Sequence, residues 1–159
     1  MILREDGIVA IPTETVYGLA ARCTSETAIK AVFAQKQRPA TNPLIIHVAS
    51  YDAVSEWAET SPTSEALAAH FWPGPLTLVL PSTGAVAPSV TAGQSTVAVR
   101  MPDHPIALQI IKAAGEPLAA PSANISGKPS PTTVEHVIAD HGDTIPVVSS
   151  HSGMALALM

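Results

Sequence analysis

Short apolar runs, each closed within a few residues by proline, glycine or a polar cluster, constrain this chain most. Ile8-Val9-Ala10-Ile11 lies between Gly7 and Pro12, Leu44–Val48 follows Pro43, and Thr77–Leu80 is stopped by Pro81. Ser95–Arg100 alternates, and Pro117–Ala120 and Pro146–Ser149 are shorter still. Runs this brief are too short for helices with a buried face and predict strands. Between them the spacing turns helical. Ala28, Ile29, Val32 and Phe33 follow a Thr24 or Ser25 cap and end before Arg38-Pro39. Val54 and Trp57 follow Asp52, and Leu67, Ala68 and Phe71 follow Ser61-Pro62. Ile106, Ile110 and Ile111 precede Gly115, and a last helix runs from Thr132 or Thr133 to about Asp140 before Gly142. Strands alternating with helices predict an α/β domain built on a mixed sheet. No repeat or linker divides the 159 residues, so a single domain is expected.

Charge is scarce. Only 13% of residues are charged, the net charge is −5, and Lys and Arg together number 8. A basic stripe of the kind that holds polyanions is therefore not expected. With 47% hydrophobic residues, disorder is not expected either. The one cysteine, Cys23, excludes a disulfide within the chain and reads as a small core residue. The 6 histidines show no HExxH spacing, so no metal site is expected. GxxxxGK[ST], GxGxxG and GxSxG are all missing, so any nucleotide would have to be held by scattered cations, hydroxyls and amides. The start turns acidic at Glu5-Asp6 and no apolar run reaches membrane-spanning length, which predicts a cytoplasmic protein without signal peptide or membrane contact.

Polar residues gather where apolar runs begin or end. Thr13-Glu14-Thr15 follows the first strand, Lys36 to Asn42 precedes the second, Arg100 ends another, and Ser122-Ala123-Asn124 follows the run at Pro117. Ligands of α/β sheets bind beyond strand ends, where such loops converge. Each cluster also has a plain structural reading. Lys36 and Arg38 either reach one anion together or stand as solvated cations at a helix C-terminus, favoured by its dipole. His47 is either a site residue or a core histidine bonded to backbone. Ser122, Asn124 and the Thr13–Thr15 segment either bind a ligand or satisfy turn amides. Residue pattern alone leads to an anion-binding α/β domain.

Longer stretches carry more. PTETVYGL at 12–19, KQRPATNPLIIHV at 36–48, FWPGPLTLVL at 71–80, TVAVRMPDHP at 96–105 and PLAAPSANISGKPSPT at 117–132 resemble the YrdC-like family of threonylcarbamoyl-AMP synthases over about residues 7–148. The resemblance implies a twisted, mostly parallel and partly antiparallel sheet with a large, concave, positively charged cleft. It implies formation of threonylcarbamoyl-AMP and pyrophosphate from L-threonine, bicarbonate and ATP, with Mg2+ on the triphosphate. The product would pass to downstream proteins that modify tRNA, and the family is also linked to double-stranded RNA binding. By the same resemblance Lys36 and Arg38 act on the phosphates as the catalytic cations. Arg38, Asn42, Thr96, Ser122, Asn124 and Ser130 line the ATP side. Thr15, His47, Arg100 and the backbone at Ala120 meet threonine. Two cations ahead of a buried strand make sense on these terms, because both reactants are anionic and their repulsion must be offset.

Past Val148 the resemblance stops. A Gly-x-x-Ser-Thr motif expected there is replaced by Ser149-Ser150-His151-Ser152-Gly153 and the apolar tail Met154–Met159. Three expectations follow: a working synthase whose site another segment or subunit closes, a domain that binds nucleotide or RNA without catalysis, or an inactive truncated form.

Overall fold

The computed structural model describes residues 2–37, 42–123, 129–141 and 145–148, with the side chain of Asp140 left aside. After a 3-10 turn at Ile2–Glu5 come β1 (Val9–Ile11), β2 (Gly18–Arg22), α1 (Glu26–Lys36) and β3 (Ile45–His47). A 3-10 turn at Tyr51–Glu56 leads to α2 (Pro62–Phe71), β4 (Leu78–Pro81), α3 (Pro88–Thr91) and β5 (Thr96–Arg100). The chain continues through α4 (Pro105–Ala114), β6 (Leu118–Ala119) and α5 (Val134–His141).

Local chemistry sets the helix ends. The Ser25 hydroxyl accepts the Ala28 amide and caps α1, which stops at Gln37 in the left-handed region. Ser61 and Ser64 form a reciprocal capping box ahead of Pro62. Gly115, at φ 82°, closes α4 with its amide on the Ile111 and Lys112 carbonyls. The Thr133 hydroxyl accepts the His136 amide at 3.1 Å and starts α5.

The strands form one sheet in the order β1-β2-β6-β3-β5-β4. The mixed α/β class stands, but the sheet is mostly antiparallel. Only β3 and β5 run parallel among the named strands, while β1–β2, β2–β6, β6–β3 and β4–β5 are antiparallel. Two of these four antiparallel pairings involve β2, a strand the sequence pattern misses. Gly18-Leu19-Ala20-Ala21-Arg22 lacks the β-branched and aromatic residues that mark strands, and pairing on both edges overrides its weak propensity. The short α3 was likewise not foreseen, and the segment with Val54 forms a 3-10 turn instead of a helix. Pro146-Val147-Val148 flanks the free edge of β1: the Ala10 amide donates to the Pro146 carbonyl and the Val148 amide to the Ala10 carbonyl.

Side chains alternate across each strand, so the register assigns them to two faces. One face carries Ala10, Leu19, Ala21, Ile46, Val97, Val99 and Ala119 and packs against α1, the turn at Val54 and Trp57, α2 and α3. The other is covered in part. Val9, Ile11, Ala20 and Leu118 pack under Ile110, Ile111 and Ala114 of α4. Beyond β6 the cover ends. Ile45, Thr96 and Ala98 are partly exposed, and Val79 is 65% exposed. This uncovered part of the face, over β3, β5 and β4, is the floor of the candidate site.

Candidate active site

At one end of this floor, His47 lies abreast of Arg100 on β5 and Leu118 on β6. Both polar side chains are buried, His47 at 3% and Arg100 at 8% exposure. The His47 Nδ1 sits 3.3 Å from the Leu118 carbonyl, a geometry in which Nδ1–H donates. Burial, and next the neighbouring Arg100 charge, press the His47 pKa down to about 4, so the ring is neutral at pH 7. Arg100 donates from Nε to the Gly74 carbonyl at 3.0 Å and pairs through Nη2 with the Glu14 carboxylate. The other Glu14 oxygen accepts the Asp103 amide at 3.1 Å.

At the opposite sheet edge, the antiparallel order brings together the end of β1, the starts of β2, β3 and β5, and the end of β6. Thr96, Asn42, Ser122 and the 12–17 loop therefore share that edge. Backbone bonds tie the loops: Tyr17 donates to the Pro131 carbonyl and Ala123 to the Tyr17 carbonyl, both at 2.8 Å. Ser130 is exposed next to Pro131. Lys36, 1% exposed, donates from Nζ to the Ser122 carbonyl at 2.5 Å. His141 on α5 donates from Nε2 to the Ala123 carbonyl and accepts Gln35 Nε2 on Nδ1 at 2.9 Å. Two side chains thus hold two successive carbonyls of the loop after β6.

The 12–17 loop leaves that edge, yet Glu14 reaches Arg100 at the other end, so the loop folds back over the open face. The Thr13 hydroxyl shapes it by accepting the amides of Thr15 and Val16, each at 3.2 Å. Thr15 is exposed beside Glu14, the residue whose carboxylate reaches Arg100. The Ala120 amide is already donated to the Ile45 carbonyl at 3.1 Å, so its carbonyl is what remains for a ligand. Of the residues singled out in the sequence, His47 and Arg100 stand at one end, where Glu14 brings the loop of Thr15, and Ala120, Lys36, Asn42, Thr96, Ser122 and Ser130 belong to the other. Arg38 and Asn124 lie outside the described residues.

The sequence reading did not assign roles to Glu14, Gly74, Gln35 or His141. Glu14 stood inside a noted cluster, and an acidic residue in an otherwise anion-binding motif was the available signal. Nothing local marks the others, because their partners are tens of residues distant. Burial pushes the Cys23 thiol well up, with Glu116 adding to it, as suits a core residue. Among the described residues, no group of three His, Cys, Asp or Glu side chains could hold a metal ion, and no helix is long and apolar enough to cross a membrane.

Comparison with known proteins identifies the family. A family model covering Sua5, YciO and YrdC proteins, described as telomere recombination, matches residues 1–156. The threonylcarbamoyl-AMP synthase of Pyrococcus abyssi (strain GE5 / Orsay) is 56% identical over 139 residues, 87% of this chain and 41% of the relative. The chain thus spans about two fifths of that relative's length. The threonylcarbamoyl-AMP synthase of Escherichia coli O1:K1 / APEC is 35% identical over 155 residues, 96% of this chain and 82% of the relative. A crystal structure of P. abyssi Sua5 complexed with L-threonine superposes with a TM-score of 0.89 at 53% identity, covering 93% of this chain and 44% of that one.

Proposed function

This chain belongs to the Sua5–YciO–YrdC family, and we propose that its domain makes threonylcarbamoyl-AMP and pyrophosphate from L-threonine, bicarbonate and ATP. The observation that supports this reading most is the pairing of an anchored arginine with a neutral histidine on an open sheet face, with hydroxyls and a buried lysine gathered at the opposite edge. An amino acid and a nucleotide need those two ends.

In the proposed reaction, the threonine amine attacks the carbon of bicarbonate, which loses water, or of its CO2, with loss of the amine proton to solvent, and a carbamate forms. A carbamate oxygen then attacks the α-phosphorus, and the bond to pyrophosphate breaks. Arg100 takes the threonine carboxylate as a fork of donors. His47, kept neutral, does not repel the amine as an imidazolium would. It offers a polar edge instead, and Thr15 and the Ala120 backbone also meet threonine. Arg38, Asn42, Thr96, Ser122, Asn124 and Ser130 hold the nucleotide, and Lys36 adds charge while supporting the Ser122 loop. Mg2+ enters on the triphosphate as part of the substrate, coordinated chiefly by phosphate oxygens. Positioning and charge compensation supply the catalysis, without a covalent protein nucleophile. The product would be consumed in the cytoplasm by proteins that complete threonylcarbamoyl-adenosine on tRNA.

Pyrophosphate release by the purified protein with ATP, Mg2+ and bicarbonate tests the reading. Release should depend on L-threonine and vanish in Arg38→Ala. A folded preparation that threonine does not stimulate refutes it. Duplex RNA binding that weakens steeply with salt, in the same inactive preparation, would assign the domain to a binding role instead.

A further inference from the structure

Arg100 has five N–H donors, and two different anchors hold it. Nε is fixed by the Gly74 carbonyl, and Nη2 by Glu14. Glu14 is itself held, since its second oxygen accepts the Asp103 amide in the turn after β5. Among the described residues, the one buried side-chain nitrogen or oxygen without a partner is Arg22 Nε. Arg100 Nη1 takes part in none of the bonds above and is therefore not sealed from solvent. An arginine carries much rotamer freedom, and fixing two of its three nitrogens in advance removes most of what a ligand would otherwise have to order.

We propose that Glu14 is a positioning residue for the amino-acid substrate, clamping Nη2 so that the Nη1 edge of Arg100 is presented to the substrate carboxylate. The inference rests on the reading of Arg100 as the carboxylate ligand. The clamp also explains how the 12–17 loop is held over the open face. One carboxylate joins a loop from the far edge of the sheet to the guanidinium of β5 and the backbone after it, and Thr15 comes with it. An α-amino acid then meets a prearranged fork, whereas in a variant lacking the clamp it must organise both fork and loop as it binds.

The test is calorimetric binding of L-threonine and, separately, of ATP to the wild type, Glu14→Gln, Glu14→Ala and Arg100→Ala. Glu14→Gln keeps the size and an acceptor for the Asp103 amide but loses the ion pair, so it serves even where Glu14→Ala folds poorly. Its threonine Kd should rise about tenfold while its ATP Kd stays within about twofold, and KM for threonine should rise with kcat retained. Unchanged or tighter threonine binding in Glu14→Gln, beside lost binding in Arg100→Ala, overturns the clamp and leaves the Arg100 reading intact. An equal fall in threonine and ATP affinity also overturns it, because Glu14 would then be supporting the domain in general. Threonine binding that survives Arg100→Ala refutes the Arg100 reading itself.

Discussion

Lowering the pH from 7 to 5 should destabilise this domain through His47. The ring is buried beside Arg100, and its pKa falls from 6.5 to about 4 on folding. Between these values the unfolded chain binds a proton that the folded one refuses, so stability rises with pH across the window and is lost as pH falls. Integrating the difference in proton binding gives a loss of about 2 kcal/mol between pH 7 and pH 5, levelling off near about 3 kcal/mol below pH 4. The carboxylate of Asp6, held down first by the Ser25 hydroxyl and then by Arg22, loses its contribution only as pH falls below its ordinary value of 3.8, outside this window. Urea unfolding, followed by fluorescence of the buried Trp57 and Trp72, measures the loss in wild type and in His47→Gln. The glutamine keeps a donor for the Leu118 carbonyl but does not titrate. The wild type should lose about 2 kcal/mol more than the variant over the interval. Equal losses in the two proteins would refute the account of a neutral, desolvated His47, and with it the proposed polarity of the threonine end.

Two further substitutions probe the ends of the site separately. Lys36→Met removes the buried ammonium that supports the Ser122 carbonyl, and should weaken ATP binding by about tenfold while sparing threonine, as calorimetry would record. Undiminished ATP affinity would mean that the lysine charge is not felt by the nucleotide. Gly74→Ala puts a Cβ 2.5 Å from the Phe71 carbonyl oxygen, a contact that backbone must move to relieve. It should cost about 1–3 kcal/mol in urea unfolding and raise KM for threonine, since the same residue's carbonyl anchors Arg100. Wild-type values for both would show that the turn yields without disturbing the anchor.

The α/β class, most elements and the helix caps were legible because they depend on neighbours in the chain. Ser25, Ser61 and Gly115 act over three or four residues, and the apolar runs at Val9, Ile46 and Val99 need only burial on the pleat. The motif resemblance also named His47 and Arg100, which the register sets abreast, and Lys36 and Ser122, which a hydrogen bond joins. The antiparallel character was not legible. Two of the four antiparallel pairings rest on β2, whose Gly and Ala residues have little strand preference and pair because β1 and β6 stand on either side. Nor could local pattern show that Lys36 is buried, that His141 holds a loop carbonyl 18 residues away, or that Glu14 crosses 86 residues of chain to reach Arg100. Local order along the chain set which residue types occur at which strand ends, since hydrophobic period and turn chemistry are local. Which of those ends meet, which half of the sheet face stays open and which charges are paired follow from the assembled fold, because burial and charge pairing arise between segments that register brings together.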